Sequence, residues 1–128
     1  MLLVKTILKF SAIHGVGCFT EVDIKKGETV WKHDPRFDLE FSEDEVKNCA
    51  PAVLDFLRMY SYGQENAGKK TLILCGDHAR HMNHTKTPNL LEEAHDPGIN
   101  IAGRDIKAGE ELTCDYTIFD LNFNQKIP

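Results

Sequence analysis

Short runs of β-branched and aliphatic residues, punctuated by glycine and charge, set the pattern along this chain. Leu2 to Leu8 mixes both kinds and predicts a strand at a sheet edge. His14-Gly15-Val16-Gly17-Cys18-Phe19 predicts a tight glycine turn that runs into a second short strand. Asp23 to Glu28 is a polar turn, and Thr29 to Lys32, carrying Val30 and Trp31, is a strand after it. Ser42-Glu43-Asp44-Glu45 has the form of a capping box, with Ser42 as N-cap and Glu45 reaching back. A helix should begin there and yield near Pro51. Pro51 can open a second helical piece, because its missing N–H is no loss in a first turn. Val53, Phe56, Leu57 and Tyr60 then fall at i, i+3, i+4 and i+7, one apolar helical face.

Gly63 and Gly68 flank a predicted loop, and Thr71 to Cys75 is the next strand. Asp77 to Pro88 is polar, rich in His and Asn, and matches neither period; such a stretch inside a small domain needs a reason to exist. Asp96-Pro97-Gly98 predicts a turn, and Ile99 to Arg104 and Glu111 to Tyr116 predict strands. The tail from Thr117 carries Phe119, Leu121 and Phe123, enough to pack onto the rest. One sequence echo stands out. Asp23-Ile24-Lys25-Lys26-Gly27-Glu28 recurs as Asp105-Ile106-Lys107-Ala108-Gly109-Glu110. It predicts two similar hairpin-like corners, with Gly27 and Gly109 taking the positive φ that other residues resist. The pattern as a whole predicts a mostly β fold with short helices.

A chain of 128 residues suits a single domain, residues 1–128, able to bury a working core without staples. Lys plus Arg number 15 against 20 Asp plus Glu, a net charge of −5. That balance lacks the basic footprint of a general nucleic-acid binder and suits a basic partner, such as a Lys-rich peptide. Cys18, Cys49, Cys75 and Cys114 form no CxxC pair. The apolar run at the start is broken by Lys5 and Lys9, too short for a signal peptide or a membrane span. A cytoplasmic protein with free thiols is the expectation.

Three stretches can carry chemistry. Gly15-Val16-Gly17 lacks a Cβ at two positions, so main-chain groups can approach a ligand closely. It lacks the third glycine and the βαβ setting of a dinucleotide site. Ala79-Arg80-His81-Met82-Asn83-His84-Thr85-Lys86-Thr87-Pro88-Asn89 concentrates amide and imidazole groups suited to lining a ligand. In Gly109 to Tyr116, strand alternation points Leu112, Cys114 and Tyr116 one way and Thr113 and Asp115 the other. Cys75, His78, His81 and His84 are also spaced by three, a pattern that suits zinc. Holding all four on one face would need a regular 3₁₀ run longer than is common, so a metal-binding protein is the weaker alternative.

In this order the three stretches resemble the SET-domain family of protein-lysine methyltransferases. Gly15-Val16-Gly17 resembles the family's first motif, and Asn83-His84-Thr85 with Pro88-Asn89 its Asn-His-Ser…Pro-Asn motif. Glu111-Leu112-Thr113-Cys114-Asp115-Tyr116 resembles its Glu-Leu-Thr-x-Asp-Tyr motif, and Asp105 to Glu110 the stretch before it. The resemblance covers roughly Leu3 to Phe119, with a tail from 120 to 128. It implies small curved sheets of β-clip-like form and a C-terminal pseudoknot, in which the segment near Asn83 is threaded by the region ending at Tyr116. It implies S-adenosylmethionine as methyl donor, held by Gly15, Val16, Gly17, Arg80, Asn83, His84, Tyr116 and Phe119. The Asn83 side chain would meet the donor's amino-acid end and the His84 main chain its adenine. Tyr116 would be the catalytic tyrosine, and Tyr60 or Tyr62 the second tyrosine of the lysine channel. The implied substrate is a basic, lysine-containing protein or peptide, with no direct nucleic-acid contact and no membrane; a nuclear location would follow for a histone-directed enzyme.

Several positions depart from the family pattern. Thr85 stands for the usual Ser, His81 for a usual Phe, and Lys86-Thr87 for a common Cys-x. Cys114, two residues before Tyr116, is small where many relatives carry Phe or Tyr, so the number of methyl groups added stays open. The flanking zinc-binding cysteine clusters of many SET domains are missing, so Phe119 and Phe123, or the second subunit of a homodimer, would close the site. A SET-fold binding module without catalysis is the main alternative function.

Overall fold

The computed structural model describes residues 1–122. In chain order its strands are β1 (Thr6–Phe10), β2 (Val16–Thr20), β3 (Thr29–Lys32), β4 (Leu39–Ser42), β5 (Ser61–Asn66), β6 (Lys69–Leu74), β7 (Asn83–His84), β8 (Leu90–Glu93), β9 (Asp96–Ala102) and β10 (Thr113–Cys114). The helices are α1 (Glu43–Val46), α2 (Pro51–Tyr60) and α3 (Tyr116–Phe119), with a 3₁₀ turn over His78–His81. Among the described residues the strands form four small sheets: β1-β2, β3-β9-β8, β4-β6-β5 and β10-β7. All pairs are antiparallel except β7 with β10, which is parallel.

The expected mostly β fold with short helices is what the chain adopts. The core gathers Cys18, Ile24, Val30, Ile106 and Leu112, each at most 1% exposed. The echoed corners explain themselves in space, because they pair with each other. Ile24 and Ile106 exchange main-chain hydrogen bonds of 2.8 Å in both directions. Asp23 accepts from the Ala108 N–H, and Asp105 from the Lys26 N–H, both at 2.9 Å, so each corner's aspartate caps the other's turn. Gly27 and Gly109 have φ of 88° and 94°, as the echo requires.

Several boundaries differ from the sequence reading. The first strand runs over Thr6–Phe10 rather than from Leu2. Leu2 instead bridges Trp31, and the Leu3 N–H goes to the Val30 carbonyl, so the opening segment pairs with β3 before it turns to β2. The capping box forms as expected and Pro51 opens α2, but α1 is a single turn that ends well short of Pro51. It buries no residue, so nothing sustains it. The apolar face of α2 is mostly solvent-facing: Leu57 is buried while Val53 and Phe56 are exposed. Gly63 lies inside β5 rather than at a loop edge, and β5 and β6 form a hairpin turning at Ala67 and Gly68, both with positive φ. Asp96-Pro97-Gly98 belongs to β9; the register jumps from Glu92 opposite Asn100 to Glu93 opposite Asp96, so Pro97, Gly98 and Ile99 bulge out of the ladder with β8. Finally, the strand expected over Glu111–Tyr116 is only Thr113–Cys114, and Tyr116 opens α3.

Cys18, Cys75 and Cys114 are buried, and burial pushes each thiol up to about 12. A raised value keeps the thiol protonated and unreactive at pH 8. Cys49 alone is partly exposed. The native protein should therefore react with Ellman's reagent at one thiol, and at four after unfolding in guanidinium; rapid reaction of two or more native thiols would contradict this core.

Candidate functional site

Segments far apart in sequence meet around Asn83. The glycine turn between β1 and β2 closes with the Ser11 N–H on the Gly15 carbonyl at 2.8 Å. Gly15 takes a φ of 47°, which an L side chain resists. Gly17 matters for another reason: a Cβ there would run into the Glu111 carboxylate, which Ser11 and Asn83 hold in place. The Ser11 hydroxyl sits 2.9 and 2.8 Å from the two Glu111 oxygens. Asn83 is 8% exposed. Its Nδ2 donates to Glu111 Oε1 at 2.8 Å and to the His14 carbonyl at 3.0 Å, with the Val16 carbonyl at 3.5 Å. A carboxylate and two main-chain carbonyls thus converge on one amide.

The two-residue ladder of β7 and β10 sets Thr113 beside Asn83 and Cys114 beside His84. Asn89 reinforces it from the other side. Its Nδ2 donates to the Glu111 carbonyl at 2.8 Å, and its Oδ1 accepts the Thr113 N–H at 2.9 Å. This explains why Thr113 is buried as fully as Cys114, where alternation had placed it on the opposite side from the core.

Tyr116 follows directly. Its main-chain N–H donates to His84 Nδ1 at 3.0 Å, which fixes the imidazole proton on Nε2. Its hydroxyl donates to the Met82 carbonyl. Asp115 is spent as the N-cap of α3: it accepts the Thr117 N–H at 3.0 Å and hydroxyl at 2.6 Å. Those bonds, the hydroxyl's first, hold its carboxyl below the usual range.

Tyr116 forms part of the wall of a cavity of about 270 Å³. Tyr62, Phe119 and Tyr116 stand edge to face around it, with ring centroids 5.3 Å and 5.8 Å apart. Tyr60 also lines it but is turned toward Phe56, at 4.9 Å, and His81, at 5.1 Å. Burial pushes the hydroxyls of Tyr62 and Tyr116 above the ordinary phenol range, so both stay neutral. Arg80 belongs to this cavity as well; its Nε donates to the Cys75 carbonyl at 3.0 Å, and its guanidinium lies 5.8 Å from the Phe56 ring centroid.

The sequence-nominated residues therefore fall into two groups. Gly15, Val16, Gly17 and Asn83 share the acceptor-rich turn. Tyr60, Tyr62, Arg80, Tyr116 and Phe119 share the aromatic cavity. The short stretch Met82–His84 joins them. Phe123 lies outside the described residues. Ser11, Trp31 and Glu92 were not singled out from sequence, and no local signal marks them: the Ser11–Glu111 contact spans 100 positions. The zinc reading does not survive. His78 Nδ1 pairs with Thr6 Oγ1, His81 packs on Tyr60, and His84 Nδ1 accepts from Tyr116. Among the described residues no group of three or more His, Cys, Asp or Glu is placed to hold a metal.

The model of the SET domain matches residues 15–117, most of the chain. This chain belongs to the SET-domain family. SET domains are typically protein-lysine methyltransferases. Solved structures agree on the fold. Polycomb Repressive Complex 2 of Chaetomium thermophilum, in an apo form carrying two substitutions, gives a TM-score of 0.69 at 26% identity over 98% of this chain. The same complex in an autoinhibited conformation bound to S-adenosylmethionine gives 0.68 at 24% identity over 96%. This SET domain spans 16% of either matched chain. No curated protein sequence matches it.

The Asn89 bracket gives a direct test of how the SET-domain seam is held. Asn89→Ala leaves the buried Thr113 N–H and the part-buried Glu111 carbonyl without their partner, and should cost about 2–5 kcal/mol of stability. Urea unfolding followed by tryptophan fluorescence measures it; a loss below 1 kcal/mol would mean the ladder does not rely on this side chain.

Proposed function

We propose that this SET domain transfers a methyl group from S-adenosylmethionine to the side-chain amine of a lysine in a basic protein or peptide. The observation that carries the reading is the Met82–His84 stretch. On one side it presents Asn83 to the glycine turn, and on the other it ties the Tyr116 phenol into the aromatic cavity.

The donor group fits the residues present. S-adenosylmethionine supplies an electrophilic methyl on a sulfonium and carries an α-ammonium. The acceptor cluster of Glu111, the His14 and Val16 carbonyls and the Asn83 amide suits such a cation. Gly17 and Gly15 leave the turn's main chain approachable, and the His84 main chain lies at the adenine side by family resemblance. We also infer that the parallel pairing of β7 with β10 is part of a threaded crossing, the family's pseudoknot.

The chain's own residues then act on the lysine. A lysine with a pKa of about 10.4 is mostly protonated in water and cannot attack. The aromatic cavity disfavours the ammonium form by desolvation, and a neighbouring sulfonium adds to that. Tyr116, neutral and held by the Met82 carbonyl, orients the amine. Tyr62, joined to Tyr116 through Phe119, is better placed than Tyr60 to be the second tyrosine. Most of the rate comes from alignment of amine, methyl and sulfur. Asp115 takes no proton, because it is committed to Thr117.

Calorimetry with S-adenosylmethionine and labelled methyl transfer to a panel of basic proteins test the reading. Tyr116→Phe should bind the donor within about threefold of wild type yet lose about 100-fold or more in turnover, the scale of removing one preorganised polar group. Asn83→Ala should weaken donor binding at least about tenfold, the loss of a well-made charge-assisted contact. Donor binding without transfer to any substrate would favour the non-catalytic binding module. Absence of donor binding would remove both.

A further inference from the structure

The wall of the aromatic cavity carries two carboxylates that neither the motifs nor the proposed chemistry uses, Glu65 and Glu92; Glu65 is exposed to solvent, whereas Glu92 is half-buried. Strand alternation along β8 places Leu90 inward, at 2% exposure, and Leu91 outward, at 44%. Glu92 therefore shares the inward face with Leu90, and it lines the cavity. Its partner across β9 is Asn100, and Asn100 is opposite Trp31 of β3. Trp31, Asn100 and Glu92 thus make one cross-strand row along the cavity wall, which ends in a carboxylate where an apolar side chain would ordinarily continue the core.

That carboxylate makes no hydrogen bond or ion pair to any of the described residues. Arg80, the one cation among the described residues that line the cavity, is engaged with the Cys75 carbonyl and the Phe56 ring. Burial alone pushes the Glu92 carboxyl upward, with no neighbouring cation pulling it back. Its charge also reaches the cavity's interior: the pKa values of Tyr62 and Cys114 rise first through burial and then through nearby acids that include Glu92. A half-buried carboxylate without a partner is costly unless a cation or donor arrives to pair with it.

We infer that Glu92 is a specificity-determining residue of this cavity, accepting N–H from the cationic end of the incoming side chain and so selecting lysine over an uncharged side chain of equal length. This rests on the reading of the cavity as the lysine site. The row explains how it works: Trp31 covers the aliphatic stem, Asn100 offers an amide beside it, and Glu92 supplies the charge. No covalent step is involved, and the acid stabilises the arriving ammonium rather than the attacking amine. It therefore governs capture more than turnover.

The test is an NMR titration of the intact chain with two short acetylated, amidated peptides, one carrying a single lysine and the other norleucine at that position. Wild type should bind the lysine peptide about tenfold or more tighter, the scale of a charge-assisted contact. Glu92→Gln keeps the shape and should reduce that ratio to about threefold or less; Glu92→Asp should keep part of it. Both variants should bind S-adenosylmethionine as wild type does, which also reports that they fold. In transfer assays Glu92→Gln should raise KM for the protein substrate and leave kcat unchanged or higher, because the acid stabilises an ammonium that must lose its proton before attack. A wild-type ratio near one, binding of neither peptide at millimolar concentration, or an unchanged ratio in Glu92→Gln each overturns the inference. Should the ratio depend on Glu92 while no methyl transfer is found with any substrate, the catalytic reading falls and the recognition role stands.

Discussion

The whole site hangs on a parallel ladder only two residues long. Such a ladder offers too few main-chain bonds to support itself, and parallel pairing is the weaker kind per residue. Two asparagines supply what it lacks. Asn83, within β7, reaches forward to the glycine turn and Glu111; Asn89, just after it, reaches across to the Glu111 carbonyl and the Thr113 N–H. An amide carries donors and an acceptor on one planar group, so it can stand in for a strand's worth of main-chain partners in a confined place. Remove either and buried polar groups are left unmatched, which in a dry interior costs more than the bond itself contributes.

This constraint explains the polar stretch from Asp77 to Pro88, which fits neither helical nor strand periodicity. It is polar because it is structural wiring rather than surface. His78 pairs with Thr6, Asp77 caps the 3₁₀ turn through the Ala79 N–H, and His84 receives the Tyr116 N–H. The spacing of three among Cys75, His78, His81 and His84 gathers no ligand set: the three histidines turn to three separate neighbours, and the 3₁₀ turn covers only His78–His81.

Sequence reading found the motifs and the two echoed corners because those are local. Glycines with positive φ and the capping box at Ser42 are satisfied within a few residues, so their signatures survive without knowledge of the fold, whereas Asp23 and Asp105 find their partners in the opposite corner. It was less successful where pairing is decided at a distance. Leu2 has the composition of a strand that continues into Thr6, yet it pairs with Trp31 instead. Pro97 and Gly98 have the composition of a turn, yet they sit as a bulge in β9. The α2 face had the right period for burial, but among the described residues Val53 and Phe56 stay exposed. β4 and β8 carry no strong alternation and were not predicted at all. Within the site, the glycine turn, Asn83, His84 and Tyr116 were legible as motif. Glu92, Trp31 and Ser11 were not, because only the sheet register brings them there.

The chemistry of the cavity follows from where protons are committed. Tyr116 gives its proton to the Met82 carbonyl, and burial keeps it from ionising. A phenol in that state is an acceptor toward any further partner and cannot act as an acid without breaking its own anchor. Glu92, on the opposite sheet, is likewise an acceptor when ionised. Arg80 and Asn100 add donors to the same lining, so its polar groups are of both kinds. The rings of Tyr62, Phe119 and Tyr116, held on a strand and a helix turn, stand edge to face against that lining, so its polar groups are set among the positive edges and negative faces of aromatic rings.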